Sequence, residues 1–468
     1  MRREIALGAA AAVLIAAPLL LWPAVFNGYP LLFGDTGVYI KDGIDHHVSW
    51  ARPMFYGLFM LPLHLLRTTW PVVVAQAVIA ASVLLGTMRG FLPRLHPLAL
   101  IPITLVLAVG TSLPWFVSQL MPDLFAGLLV LVLAALLLLP PALPRIGQPA
   151  AALFAAGCIT MHLSLLPISL ALIVTLLVCR FIVRRSLRLA DIVRGGVVPA
   201  IAAAVLIGTN ALLIGQASMS PYGKIFLLNR VLVDGPGVRA LQRECPRPDW
   251  TLCAFKEEIP TIRDEDDILW GSNAVLDRAG GYKVVAPQAW PIIMAAARAE
   301  PGTLLRQALE NTARQFISFR SGDALLRPST FNDGVWSAVF PAAEQARYRA
   351  GRQYGGLTLV PAWLQRLHIV FGAVAIVAVA AGAVVALRRR EPLGGLLAAV
   401  TMALLTNAFV AGALSGVYDR YQSRFVWLAP FALLLMMAAR WQRERPPRSA
   451  GEDVRRGAFA SGGRGPYR

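Results

Sequence analysis

Apolar residues in this chain run in long unbroken blocks, without the alternation of a half-buried strand. A helix needs roughly 20 apolar residues to cross the hydrocarbon core of a bilayer. Candidate spans fall at 5–26, 70–88, 97–115, 123–141, 149–161, 165–183, 196–215, 363–387, 393–413 and 425–440, with 149–161 the weakest because it is short. The run PMFYGLFMLPLHLL, 53–66, is too short to cross and reads as a helix lying at the interface. The pattern predicts an all-α polytopic membrane protein of about ten transmembrane helices.

Arginines order these spans. Arg2 and Arg3 precede the first; Arg89 and Arg94, Arg145, Arg180 to Arg194, Arg388 to Arg390 and the Arg440 to Arg448 stretch follow later ones, so alternate loops are basic. Basic loops stay on the cytoplasmic side, which puts both termini inside. The opposite face then holds the 27–69 loop, the short 116–122 loop, the 216–362 region and the 414–424 loop. The organisation expected is a membrane module over 1–215, a mainly helical extracytoplasmic domain over 216–362, membrane helices over 363–440 and a disordered cytoplasmic tail over 441–468. Within the large region, 287–320 carries apolar residues at helical spacing.

Composition agrees. The chain is 57% hydrophobic and only 15% charged, too little charge to solvate a soluble surface. A net charge of +18 in a soluble chain would suggest nucleic acid. Here the arginines lie between apolar blocks and report topology, so the bilayer is the expected partner and nucleic acid is not. The opening IALGAAAAVLIAAPLLLWPAVF is longer than the core of a signal peptide and reads as an uncleaved span. Cys158 and Cys179 fall in apolar blocks as fillers, whereas Cys245 and Cys253 lie in a polar stretch where a disulfide is expected outside the cytoplasm. The absence of an N-x-S/T acceptor fits a bacterial cytoplasmic (inner) membrane.

Candidate chemistry gathers at one face. Asp35, in GDTGVY, follows the first span, and Asp123, in MPDLFAGL, opens the fourth; each also has a structural alternative, as turn residue and helix cap respectively. In GVYDRYQSRFVWLAP, 416–430, Arg420 and Arg424 stand four apart and share a face if the helix begins early. They break the positive-inside pattern, and a guanidinium fork suits a phosphate. Tyr421 lies between them. Lys224, Arg230 and Arg52 are further cationic candidates on that face, His46, His47 and His162 are candidate polar or acid–base groups, and the run Asp264 to Asp267 reads as a solvated turn.

An acidic residue in the first outer loop, a second at the start of span four and an Arg-Tyr motif entering a late span resemble the GT-C superfamily of membrane glycosyltransferases, which includes protein O-mannosyltransferases and lipid A aminoarabinose transferases. The resemblance covers about 1–215 and 363–440, and it departs from the common pattern where the first loop reads GDTGVY in place of an Asp-Glu pair. It implies a polyprenyl-phosphate-linked sugar donor, an extracytoplasmic acceptor and inversion at the anomeric carbon. Asp35 would then be the general base, Asp123 would assist or help hold a divalent metal ion or the acceptor, and Arg420 or Arg424 would neutralise the lipid-phosphate leaving group. Two rivals stand beside it: a transporter or flippase for a lipid-linked or anionic solute, and a non-catalytic envelope assembly protein.

Overall fold

The computed structural model describes residues 2–139, 147–246, 249–262, 264–271 and 273–444. Arg145 and the tail from 445 onward lie outside the described residues. Those described are helical, with no strand and a single isolated bridge.

In chain order the elements used below are α1 (Arg2–Leu19), α2 (Thr36–Asp45), α3 (Phe55–His64), α4 (Trp70–Phe91), α5 (Leu100–Gly110), α6 (Asp123–Leu138), α7 (Gly147–Met161) and α8 (Leu165–Arg184). They continue with α9 (Leu189–Ile214), α10 (Lys224–Val233), α11 (Tyr282–Ala299), α12 (Pro301–Ile317), α13 (Ala362–Arg388), α14 (Pro392–Leu414), α15 (Asp419–Val426) and α16 (Leu428–Glu444). Among the described residues seven helices are long and apolar enough to cross a membrane: Glu4–Asn27, α4, α8, α9, α13, α14 and the combined Asp419–Glu444. This is a helical membrane protein.

Three of the expected spans are shorter helices. The 97–115 block stops at Gly110, and its continuation is a separate buried turn of helix, Leu113–Ser118. The 123–141 block gives α6, 16 residues long, which at 1.5 Å per residue is about 24 Å. The 149–161 block gives the 15 residues of α7. α6 is apolar on every side because it is enclosed by other helices, with nearly all its residues buried. The expected interfacial run is α3, and the helical reading of 287–320 is borne out as α11 and α12, broken at Glu300.

Backbone contacts tie the first loop to the second. Leu31 donates to Ser118 O at 2.8 Å and accepts from Leu120 N at 2.9 Å. The Gln76 amide on α4 holds the carbonyls of Val117 and Gln119 at 2.8 and 2.9 Å. Asp35 and Asp123 each follow within a few residues of that bridge, so it carries both to the same end of the bundle. α2 and α3 form a hairpin whose backbones touch at Gly43 and Gly57, where a Cβ on either would strike the other helix. The Gln353 amide clamps the backbone of Leu32, 321 positions away, and a buried cluster joins Tyr29 and Thr69 to Trp336 and Glu344.

The 216–362 region divides in two. Residues 225–296 enclose an apolar core of their own, bridged by the Cys245–Cys253 disulfide, while Phe319, Val335, Trp336, Phe340 and Tyr348 pack into the main membrane core. Trp50 of the first loop packs on the separate core. Cys158 and Cys179 are free and buried.

Candidate active site

A cavity of about 880 Å³ opens at the end of the bundle that carries the Leu31 bridge. Its walls come from the first loop, the 162–164 turn, α10, residues 265–270 and 323–329, the end of α14 and the start of α15.

Asp35 caps the N-terminus of α2 without a side-chain cap bond, and its carboxylate pairs instead with Arg52 at 2.9 Å. Arg52 is held in turn over the rings of Tyr39 at 5.9 Å and Trp270 at 5.5 Å. The early helix start that the RYQSR motif required is present: α15 begins at Asp419, with its backbone fixed by reciprocal bonds from Arg320 N to Asp419 and from Arg420 N to Asp323. Tyr418, just before it, is fixed to the Gln315 amide of α12 through both its N–H and its carbonyl.

Arg420 and Arg424, one turn apart, have different partners. Arg424 is 1% exposed and fully engaged at its two terminal nitrogens. Nη1 donates to Asp123 Oδ1 at 3.2 Å and to His162 Nε2 at 3.1 Å, and Nη2 donates to Ser164 Oγ and Asn407 Oδ1, each at 3.1 Å. A guanidinium cannot accept, so the His162 Nε2 facing it carries no proton. Arg420 is 8% exposed and lies over the Phe33 ring at 3.7 Å. Among the described residues no carboxylate pairs with its guanidinium, and its Nη1 is buried without a partner.

Asp35, Arg52, His162, Arg420, Tyr421 and Arg424 therefore share the cavity. Asp123 does not line it. It is 1% exposed behind Arg424, and its Oδ2 has no partner. The remaining candidates lie elsewhere. His46 ends α2 in a left-handed conformation on the surface, and His47 faces Asp42 at 3.3 Å. Lys224 opens α10 and does not line the cavity, and Arg230 is buried between Asp234 and Glu265, 2.7 Å from each. Among the described residues no group of three or more His, Cys, Asp or Glu side chains is placed to hold a metal ion.

Sequence reasoning missed much of the wall. The 264–267 run is not simply a solvated turn: Glu265 and Asp266 line the cavity, and Asp266 Oδ1 accepts from the Tyr418 hydroxyl at 2.8 Å. Burial pushes the Asp266 carboxyl above the usual carboxylate range, against that hydrogen bond. Trp270, Asp323 and Arg327 were also unforeseen. Asn407 carried a signal, an amide in the middle of a span, where polar groups are kept for a partner.

No family model, no curated protein and no solved structure matches this chain, so the site's own geometry carries the functional reading.

Proposed function

We propose that this protein is an integral membrane glycosyltransferase of GT-C type, which moves a sugar from a polyprenyl-phosphate donor to an acceptor hydroxyl. One observation carries this: a buried guanidinium that makes no close ion pair among the described residues and keeps an unpartnered Nη1, Arg420, shares a cavity with a carboxylate, Asp35, at the end of a membrane helix bundle. Asp123 and Asp35 balance its charge without hydrogen-bonding it, which leaves the Nη1 donor for a ligand phosphate. The ends of spanning helices are where a lipid-linked phosphate resides. In this reading the bundle completes ten crossings through α5, α6 and α7 in a bacterial cytoplasmic membrane, with both termini inside and the cavity on the outer face.

In the mechanism, Asp35 accepts the proton of the acceptor hydroxyl as its oxygen attacks the anomeric carbon. The bond from that carbon to the phosphate oxygen breaks, and the electron pair leaves on the phosphate. Attack opposite the leaving group inverts the centre. Arg420 meets the growing phosphate charge from a buried position, where a fixed donor counts for more than in water. Arg424 and Asp123 stand behind this and shape α15; neither is a reacting group.

The test is release of free polyprenyl phosphate from a polyprenyl-phosphate sugar by the protein in nanodiscs with envelope acceptors. Asp35→Asn should lower turnover by about 10²–10⁴ and leave donor binding in place. Undiminished release by that variant would remove the proposed base. Movement of the intact donor across the bilayer, without cleavage, would favour the transporter.

A further inference from the structure

One part of the cavity wall has no role in that reaction scheme. It comes from the module with its own core and presents Phe226, Leu269 and Trp270 beside Glu265 and Asp266. Glu265 is engaged by Arg230 through Oε2 at 2.7 Å. Asp266 takes the Tyr418 hydroxyl on Oδ1, which leaves Oδ2 for a ligand. Trp270 is fixed from behind by its stack on Trp50, centroids 5.0 Å apart, which also stacks on Tyr282 and Phe226. Its ring lies 5.5 Å from the guanidinium of Arg52, the residue paired with Asp35. A group seated on Trp270 and Asp266 is thus beside the proposed base.

The chemistry of this wall is selective. A sugar ring has an apolar C–H face and a rim of hydroxyl donors. Its complement is fixed aromatic and aliphatic carbon next to a carboxylate, which can only accept. With Glu265 paired to Arg230, the carboxylate of Asp266, which makes no ion pair among the described residues, is the group on this wall that disfavours a ligand carrying its own negative charge. A phosphate is provided for elsewhere, at Arg420.

We propose that residues 265–270, with Tyr418, form the acceptor subsite, and that the acceptor is a saccharide hydroxyl on a sugar without acidic groups. This rests on the glycosyl-transfer reading. It gives the separate module a task, the choice of acceptor, while the membrane helices hold the donor phosphate.

The full-length protein in nanodiscs is applied to an array of neutral glycans, acidic glycans and hydroxyl-rich peptides, and polyprenyl phosphate binding is measured in parallel. Neutral glycans should be retained over acidic ones and over peptides. Trp270→Ala and Asp266→Asn should each cut that retention by about tenfold, the scale of one lost ligand contact, with polyprenyl phosphate binding unchanged. Trp270→Phe, which keeps an aromatic ring, should stay within a few-fold of the unaltered protein and controls for folding. Preferred capture of acidic glycans or peptides, or wild-type retention by both disruptive variants, would overturn the subsite. Glycan retention by an unaltered protein that fails to bind polyprenyl phosphate would instead overturn the transfer reading, and with it the acceptor role.

Discussion

The cavity has a membrane-side backing of α6, the 162–164 turn, α14 and α15 and a loop-side wall of residues 33–52, 265–270 and 323–329. On the membrane side the charges are paired: Asp123, His162, Ser164, Asn407 and Arg424 form a connected set of hydrogen bonds among buried residues, with Asp123 Oδ2 and Arg424 Nε left over. Toward the loop side, among the described residues, Arg420 makes no close ion pair, its Nη1 lacks a partner, and Asp35 is partly exposed to the cavity. Polar groups of the first kind define a conformation, and those of the second kind are available to a ligand. The difference falls within one turn of α15, between Arg424 and Arg420.

The comparison breaks most visibly if the backing is opened. Arg424→Met leaves the Asp123 carboxylate buried without its hydrogen-bonded cation, which should cost about 3–5 kcal/mol of stability. Pairing it with Asp123→Leu removes both charges and should recover much of that loss. Thermal unfolding of the two variants in detergent measures this. Equal destabilisation by single and double variants would show that the ion pair is not what the backing depends on.

Arg420 should behave the other way. Arg420→Ala should reduce turnover by about 10²–10³, as for other groups that stabilise a developing anion, with little change in melting temperature. Arg420→Lys keeps the charge but loses the fork and should recover only part of the activity. Polyprenyl phosphate binding and donor turnover, measured alongside unfolding, separate the two arginines. A loss of stability as large as that of Arg424→Met would place Arg420 in the structural set instead.

Some of this division was legible in the sequence and some was not. Long apolar blocks located the spanning helices, and the four-residue spacing of Arg420 and Arg424 placed both on one face of α15. Spacing could not say which of the two was engaged, because their partners come from α6, the 162–164 turn and α14. The same limit applies to Asp123: α6 is apolar on all sides, so no amphipathic pattern indicates which way its first residue faces. Hydropathy also over-extended the 97–115 block, since residues buried among helices are as apolar as residues facing lipid. Asp266 read as a turn because its partner, Tyr418, lies 152 positions away.

The smallest effect tests how Arg420 is held ready. Among the described residues no carboxylate contacts its guanidinium, which rests on the Phe33 ring at 3.7 Å. A cation over an aromatic face is worth about 0.5–2 kcal/mol, more where water is excluded. Phe33→Leu keeps an apolar side chain but removes the ring quadrupole. Polyprenyl phosphate affinity should therefore fall by roughly 2- to 30-fold, the range to which those energies convert. Phe33→Tyr should retain most of it. Unchanged affinity in Phe33→Leu would mean that backbone anchoring through Asp323 alone orients Arg420. The distinction between the two arginines would then rest only on the partners of Arg424, because Arg420 is anchored through its backbone amide and Arg424 through its side chain.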